Sequence, residues 1–257
     1  MNINEEEFLR QHYRLVPWRE MLESILLDVR ELPFTNIAFK IRKSDGELTY
    51  KHKMYFSCWG ELVSLVINDS HPPKEIHIGP RHINQTNVDG HAIKCGHLVA
   101  DFDAPDTRTC GCGAEKKICQ RCWSGVVLPA AKRLVRFFQE KPISAVYCVF
   151  SGRRGVHVWA CDEFLPALSE TERLNLLRST GEQVDMLPGK MNHLCRLPYS
   201  PHVGTGFVAV PFDPFDPRAE KLFFLQVKLG QFKPDAFPWI PCPRPPCQQE
   251  EPSAPPQ

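Results

Sequence analysis

Val146-Tyr-Cys-Val-Phe150-Ser151-Gly-Arg153-Arg154-Gly-Val156-His157 runs from an apolar strand-like segment into a glycine-flanked turn that carries two adjacent arginines. Glycine lets backbone approach an anion closely, and paired guanidiniums offer fork-shaped donors that match phosphate oxygens. His157 adds a third donor on the returning strand. Ser151, Arg153, Arg154 and His157 are therefore read as a phosphate grip, although a salt-bridged surface hairpin would share the pattern if it stood alone.

Upstream, Asp101-Phe-Asp103 closes a predicted strand from about His97, and a spacing of two puts both carboxylates on one face. Such oxygens suit Mg²⁺ or Mn²⁺ held jointly with substrate phosphates. By itself the pair fits a solvated strand end or a glycosyltransferase equally well. Asp185 is the candidate third carboxylate, eight residues before His193. Downstream, Arg196 and His202, followed by Gly204-Thr-Gly206, offer a second set of anion donors.

Cys110-Gly-Cys112 and Cys119-Gln-Arg-Cys122 give C-x-C, six residues, then C-x-x-C. Four thiolates at that spacing can surround Zn²⁺ tetrahedrally and leave no open position, which makes the ion structural. The other cysteines are scattered through a chain with enough apolar residues (42%) for a full core, so a reducing, intracellular setting is expected. The net charge of +1 excludes binding nucleic acid through a global field and leaves local basic patches to do so. No apolar run approaches bilayer length, and Glu5, Glu6 and Glu7 stand where a signal segment would be basic and then apolar.

Helical periodicity spans about Glu5 to Arg30, interrupted at Pro17. Ile37 to Ile41 and Leu48 to Cys58 flank an Asp45-Gly46 turn and read as a hairpin, with a further strand at Glu75 to Ile78. Ala131, Leu134, Val135 and Phe138 form the apolar stripe of a helix that ends before Pro142. Strands Val146 to Phe150 and Val156 to Cys161 flank the arginine turn, and Ser169 with Glu172 forms a capping box. A β-rich region is expected from His193 to Phe224. The fold class is α/β (α+β): a catalytic sheet with helical cover in a domain spanning 1–237, a zinc knuckle inserted at 110–122, and a flexible Pro-rich tail at 238–257.

HLVADFDAPDTR, CGCGAEKKICQRCW, VFSGRRGVHVWACDE and NHLCRLPYSPHVGTGFVAVP, in that order, resemble the small catalytic subunit of archaeo-eukaryotic DNA primase, eukaryotic type. With FLRQHYRLVPWREMLESIL near the start, the resemblance covers roughly residues 8–215. It implies a DNA-directed RNA polymerase that makes short RNA primers on single-stranded DNA for replication. Asp101, Asp103 and Asp185 would hold Mg²⁺ or Mn²⁺; Ser151, Arg153, Arg154, His157, Arg196 and His202 would hold the NTP. It also implies an RNA–DNA hybrid product, a large primase subunit and DNA polymerase alpha as partners, and a nuclear location.

The chain departs from the family pattern in several places. Only 27 residues separate His157 from Asp185, where relatives carry a helical insertion, and Asp185 stands one residue closer to Asn192-His193 than expected. Asn36, His52, Met54 and His77 occupy positions that in relatives include acidic residues and an arginine near the ribose or the initiating nucleotide. A primase-polymerase favouring dNTPs in damage tolerance, or a catalytically degenerate zinc-stabilised subunit, are the alternative readings.

Overall fold

In the computed structural model, residues 3–26, 32, 35–43, 45–82, 93–94, 96–105, 112, 117–190 and 193–243 are described. Helices α1 (Ile3–Leu15) and α2 (Trp18–Leu26) meet at Pro17, which lacks the N–H to continue a helix. They bury Leu9, Tyr13, Met21, Leu22 and Ile25. Strands β1 (Thr35–Arg42) and β2 (Leu48–Met54) follow, then α3 (Trp59–Asn68), β3 (Glu75–His82) and β4 (Ile93–Lys94).

One sheet has the order β2-β1-β3-β4, and β8 (Cys195–Arg196) also pairs with β3. Its alternation is sharp. Ile37, Phe39, Ile76 and Ile78 enter the core, whereas Lys40, Tyr50, Glu75 and His77 share the opposite face.

The other sheet has the order β5-β7-β6, all antiparallel, built from β5 (His97–Asp103), β6 (Ala145–Phe150) and β7 (Gly155–Cys161). Every residue of β7 is buried, and α5 (Leu128–Gln139) packs on β6 and β7 with Ala131, Leu134, Val135 and Phe138 inward. Gln120–Cys122 (α4) runs into α5 through a π-helical turn at Trp123–Val127, and Trp123 sets its ring edge-on to Phe150 at 5.7 Å. Helix α6 (Glu170–Arg178) opens with the expected capping box at Ser169 and Glu172. The mixed α/β class therefore holds, with antiparallel sheets.

Two details differ from the sequence reading. The stretch from His193 to Phe224 forms the two-residue β8, single bridges such as Pro201↔Val208, a 3₁₀ turn at Pro217–Glu220 and the start of the short helix α7 (Leu222–Leu225). Pro198, Pro201, Pro211, Pro214 and Pro217 each remove a ladder donor, so the chain turns repeatedly and does not pair continuously. Chain read as flexible tail is also packed: Trp239 stacks on Tyr147 at 4.2 Å, and Cys242 is buried with its N–H on Val146 O at 2.7 Å. Residues 244–257 lie outside the described set.

Candidate functional site: a carboxylate edge beside an arginine turn

Asp101 and Asp103 stand at the C-terminal end of β5, opposite His157 and Gly155 of β7. Register thus places the carboxylates next to the arginine turn. Gly155 is required there, because a Cβ would lie 2.0 Å from Phe102 O and 2.4 Å from Asp103 Oδ1. Asp185 joins the same edge: its N–H donates to Asp101 O at 2.7 Å, and the two residues form an isolated antiparallel bridge. Asp185, far from the Asp101–Asp103 pair in sequence, is thus its neighbour in space.

The site is electrostatically unbalanced. Burial, then the charge of Asp185, pushes the Asp101 carboxyl up to about 7 against the pull of Arg196. Asp103 is raised for the same first reason, with Asp101 adding repulsion and His157, Arg154 and Arg153 opposing it. Closely set hard oxygens whose ionisation is disfavoured form a donor set that fits Mg²⁺ or Mn²⁺.

Ser151 shapes the turn rather than pointing away from it. Its N–H donates to Gly155 O at 3.0 Å, and its Oγ accepts from Gly155 N at 3.1 Å. Gly152 has φ +76°, and a Cβ there would sit 2.9 Å from Phe207 O. The two arginine carbonyls are sewn to neighbours, Arg153 O accepting from Ile118 N at 3.1 Å and Arg154 O from Ala104 N at 3.2 Å. Arg154 Nη2 also donates to Ala104 O at 2.5 Å, which fixes its guanidinium beside the β5 end.

The second donor set docks onto the first. Arg196 Nη1 donates to Ser151 O at 2.7 Å, and Thr205 Oγ1 donates to Gly152 O at 2.6 Å. Burial, with Arg196 nearby, lowers His202 to about 4; its Nδ1 accepts from Gly204 N at 2.9 Å, so Nε2 carries the proton and can donate while neutral. Burial and Arg196 lower His157 to about 3, and its Nε2 lies 3.7 Å from Asp101 Oδ1. Both histidines are neutral donors near pH 7, not cations.

Cys112, Cys119 and Cys122 bring their sulfurs within 4.8 Å of one another, and Cys110 lies outside the described residues. Backbone N–H groups already point at the sulfurs, Cys119 N to Cys112 Sγ at 3.2 Å and Cys122 N to Cys119 Sγ at 3.5 Å. The Cys119 thiol is lowered by its hydrogen bond with Cys112 and by the Cys122 N–H. Such a set fits Zn²⁺. Ile118 N on Arg153 O ties this knuckle directly to the arginine turn, and Gln120 ties it to Glu220 and Leu222.

Sequence reasoning missed Glu75, Lys40 and Thr205. Alternation puts Glu75 on one strand face with His77, a signal that could have drawn attention to it; Thr205 had none beyond its place between two glycines.

The fold is similar to that of a solved polymerase domain. The polymerase domain of Mycobacterium tuberculosis Ligase D, solved in complex with DNA, matches with TM-score 0.51 over 81% of each chain at 13% identity. Residues 100–190 match the family model described as DNA primase small subunit. The DNA primase small subunit of Schizosaccharomyces pombe is 26% identical over 84% of this chain and 51% of its own length. That of Saccharomyces cerevisiae is 30% identical over 53% and 31%, and that of Drosophila melanogaster 35% over 36% and 23%. The chain spans about half or less of the length of these relatives.

Proposed function

We propose that this chain is a primase-type nucleotidyltransferase that extends or initiates short RNA on a single-stranded DNA template. The observation that carries the reading is the bridge Asp101↔Asp185 at the same sheet edge as the Ser151–Gly155 turn, with Arg196 bonded to Ser151 O. Three carboxylates thus face a basic, glycine-built cradle. Divalent cations held by Asp101, Asp103 and Asp185 would supply a more acidic 3′-hydroxyl and a sink for triphosphate charge. Arg153, Arg154 and Arg196 would bind and orient the triphosphate, and neutral His157 and His202 would donate to its oxygens without competing for the cations.

Zn²⁺ on Cys112, Cys119 and Cys122, with Cys110 as the fourth ligand, would hold the knuckle that carries Ile118 against the turn. The reading extends to an RNA–DNA hybrid product, a large primase subunit and DNA polymerase alpha as partners, and nuclear replication. It treats residues 1–237 as the catalytic unit.

A second reading, a primase-polymerase that prefers dNTPs, is favoured by one observation. His77, at a position where relatives carry an acid, is 3.1 Å from Glu75 through Nε2 and leaves no carboxylate of its own for a ribose. The deciding assay combines purified protein, single-stranded template, Mn²⁺ and γ-labelled ATP with either NTPs or dNTPs. A labelled dinucleotide from NTPs supports RNA priming, dNTP-only extension supports the second reading, and no product in any mixture removes both.

A further inference from the structure

Glu75 opens β3 with its side chain 1% exposed, yet it is ionised. Burial alone would raise its pKa, but His77, Arg196, the Val203 N–H and Lys40 together hold it down to about 2. No step of the reaction above uses it. Its two oxygens divide their partners: Oε1 accepts from Val203 N at 2.7 Å, while Oε2 faces His77 Nε2 at 3.1 Å, Lys40 Nζ at 3.5 Å and Arg196 Nη2 at 3.8 Å.

Two of these partners belong to the second donor set. Arg196 reaches onward from Glu75 to Ser151 O. Val203 begins the loop that His202 O closes by accepting from Thr205 N and Gly206 N, and that Thr205 Oγ1 fastens to Gly152 O. The Arg196 side chain thus reaches both the arginine turn and Glu75, and the loop touches the turn through Thr205 and Glu75 through Val203. Without the carboxylate, the backbone pairing of β8 and of the loop would remain, but these ties to Glu75 would go and the donors would spread over more orientations.

We propose that Glu75 is a positioning residue for the triphosphate grip, holding Arg196 and the His202 loop against the Ser151–Gly155 turn. The inference rests on the nucleotide-binding reading of that turn. Glutamine keeps the shape and one carbonyl oxygen, but it cannot serve the Val203 N–H, the His77 imidazole and the two cations Lys40 and Arg196 together. Glu75→Gln should therefore loosen the grip with the strand still in place.

The test is a double-mutant cycle on the full chain, crossing Glu75→Gln with His202→Ala and reading the Kd for ATP with Mn²⁺ by calorimetry, with thermal melting alongside. Glu75→Gln should weaken ATP about fivefold in the native background and less than about twofold in His202→Ala, a coupling of the size found for residues in one network. Equal weakening in both backgrounds, or none in the first, would overturn the positioning role while leaving the site intact. If native protein binds no ATP, the nucleotide reading fails and takes this inference with it. Should Glu75→Gln not fold, Glu75→Asp keeps the buried charge and shortens its reach; the same cycle then applies, with the same pattern of Kd values supporting or overturning the role.

Discussion

The two sheets treat their charged residues in opposite ways. In β5-β7-β6 the strands are buried almost throughout, and charge is confined to the strand ends, where Asp101 and Asp103 meet the arginine turn. In β2-β1-β3-β4 one face carries Lys40, Tyr50, Glu75 and His77, and the buried Glu75 sits there beside Lys40 and Arg196. The first region holds carboxylates whose burial and mutual repulsion outweigh the pull of Arg153, Arg154 and Arg196; the second holds a carboxylate whose partners outweigh its burial. Chemistry calls for the former, because unsatisfied negative charge is what draws a metal–nucleotide complex. Architecture calls for the latter, because a satisfied buried charge fixes what surrounds it.

Glycine substitution breaks the comparison most severely. In Gly155→Ala the added Cβ meets backbone and carboxylate of β5 at 2.0 and 2.4 Å, so β5 and β7 cannot keep their register. Loss of more than about 3 kcal/mol is expected, enough to leave little folded protein. In Gly46→Ala, at the β1–β2 turn, nothing lies within 4 Å and only φ +87° is strained, for a cost of about 1 kcal/mol. Chemical denaturation of both variants checks the contrast; similar midpoints would show that the close approach at Gly155 is not rigid.

Asp101→Ala comes next, with an effect on synthesis rather than fold. Primer synthesis should fall by more than about a hundredfold, as when a main charge-stabilising group is lost. Zinc content should persist and the melting temperature should hold or rise slightly, since the carboxylate is a source of repulsion and not of cohesion. Activity that survives would show the metal site to be misplaced.

Much of the first sheet was legible because its signals are local. The arginine turn, the strands beside it, the helical stripe from Ala131 to Phe138, the Ser169–Glu172 box and the cysteine spacing each fit within a dozen or so residues. What escaped depends on distant pairing. Glu75 looks like any strand-opening acid until β8 and the Val203 loop, more than a hundred residues on, are brought against it. Trp239 and Cys242 sit between prolines that mask any period, so composition suggested a tail where Tyr147 and Val146 provide a surface to pack on. The prolines from 198 to 217 hid the converse, a turn-rich region with almost no ladder.

The smallest expected effect separates the two carboxylates by sign. Asp101 moves from an ordinary 3.8 to about 7 on folding. Below pH 4 it is protonated in both states and its contribution is complete; as pH rises toward 7 the unfolded chain releases the proton first, and stability falls. Glu75 moves from 4.5 to about 2. Its contribution is complete above pH 4.5 and is lost as pH falls toward 2, because only the unfolded chain takes up the proton readily. Melting curves from pH 3 to 8 of zinc-loaded protein in buffer without Mg²⁺ or Mn²⁺ should thus show two limbs, the acid one shared with the buried neutral His157 and His202. Asp101→Asn should flatten the neutral limb alone, and Glu75→Gln should make the acid limb shallower below pH 4.5 without touching the neutral one. Each change should be on the order of 2–4 °C, the shift that about 1 kcal/mol produces in a chain of this size, less than the full pKa shifts would give because relaxation and water entry soften a buried charge. Added Mn²⁺ should erase the neutral limb in the native protein and leave the acid limb untouched. If Asp101→Asn instead flattened the acid limb, the carboxylate edge would be a paired, structural cluster like that around Glu75, and the contrast between the two sheets would disappear.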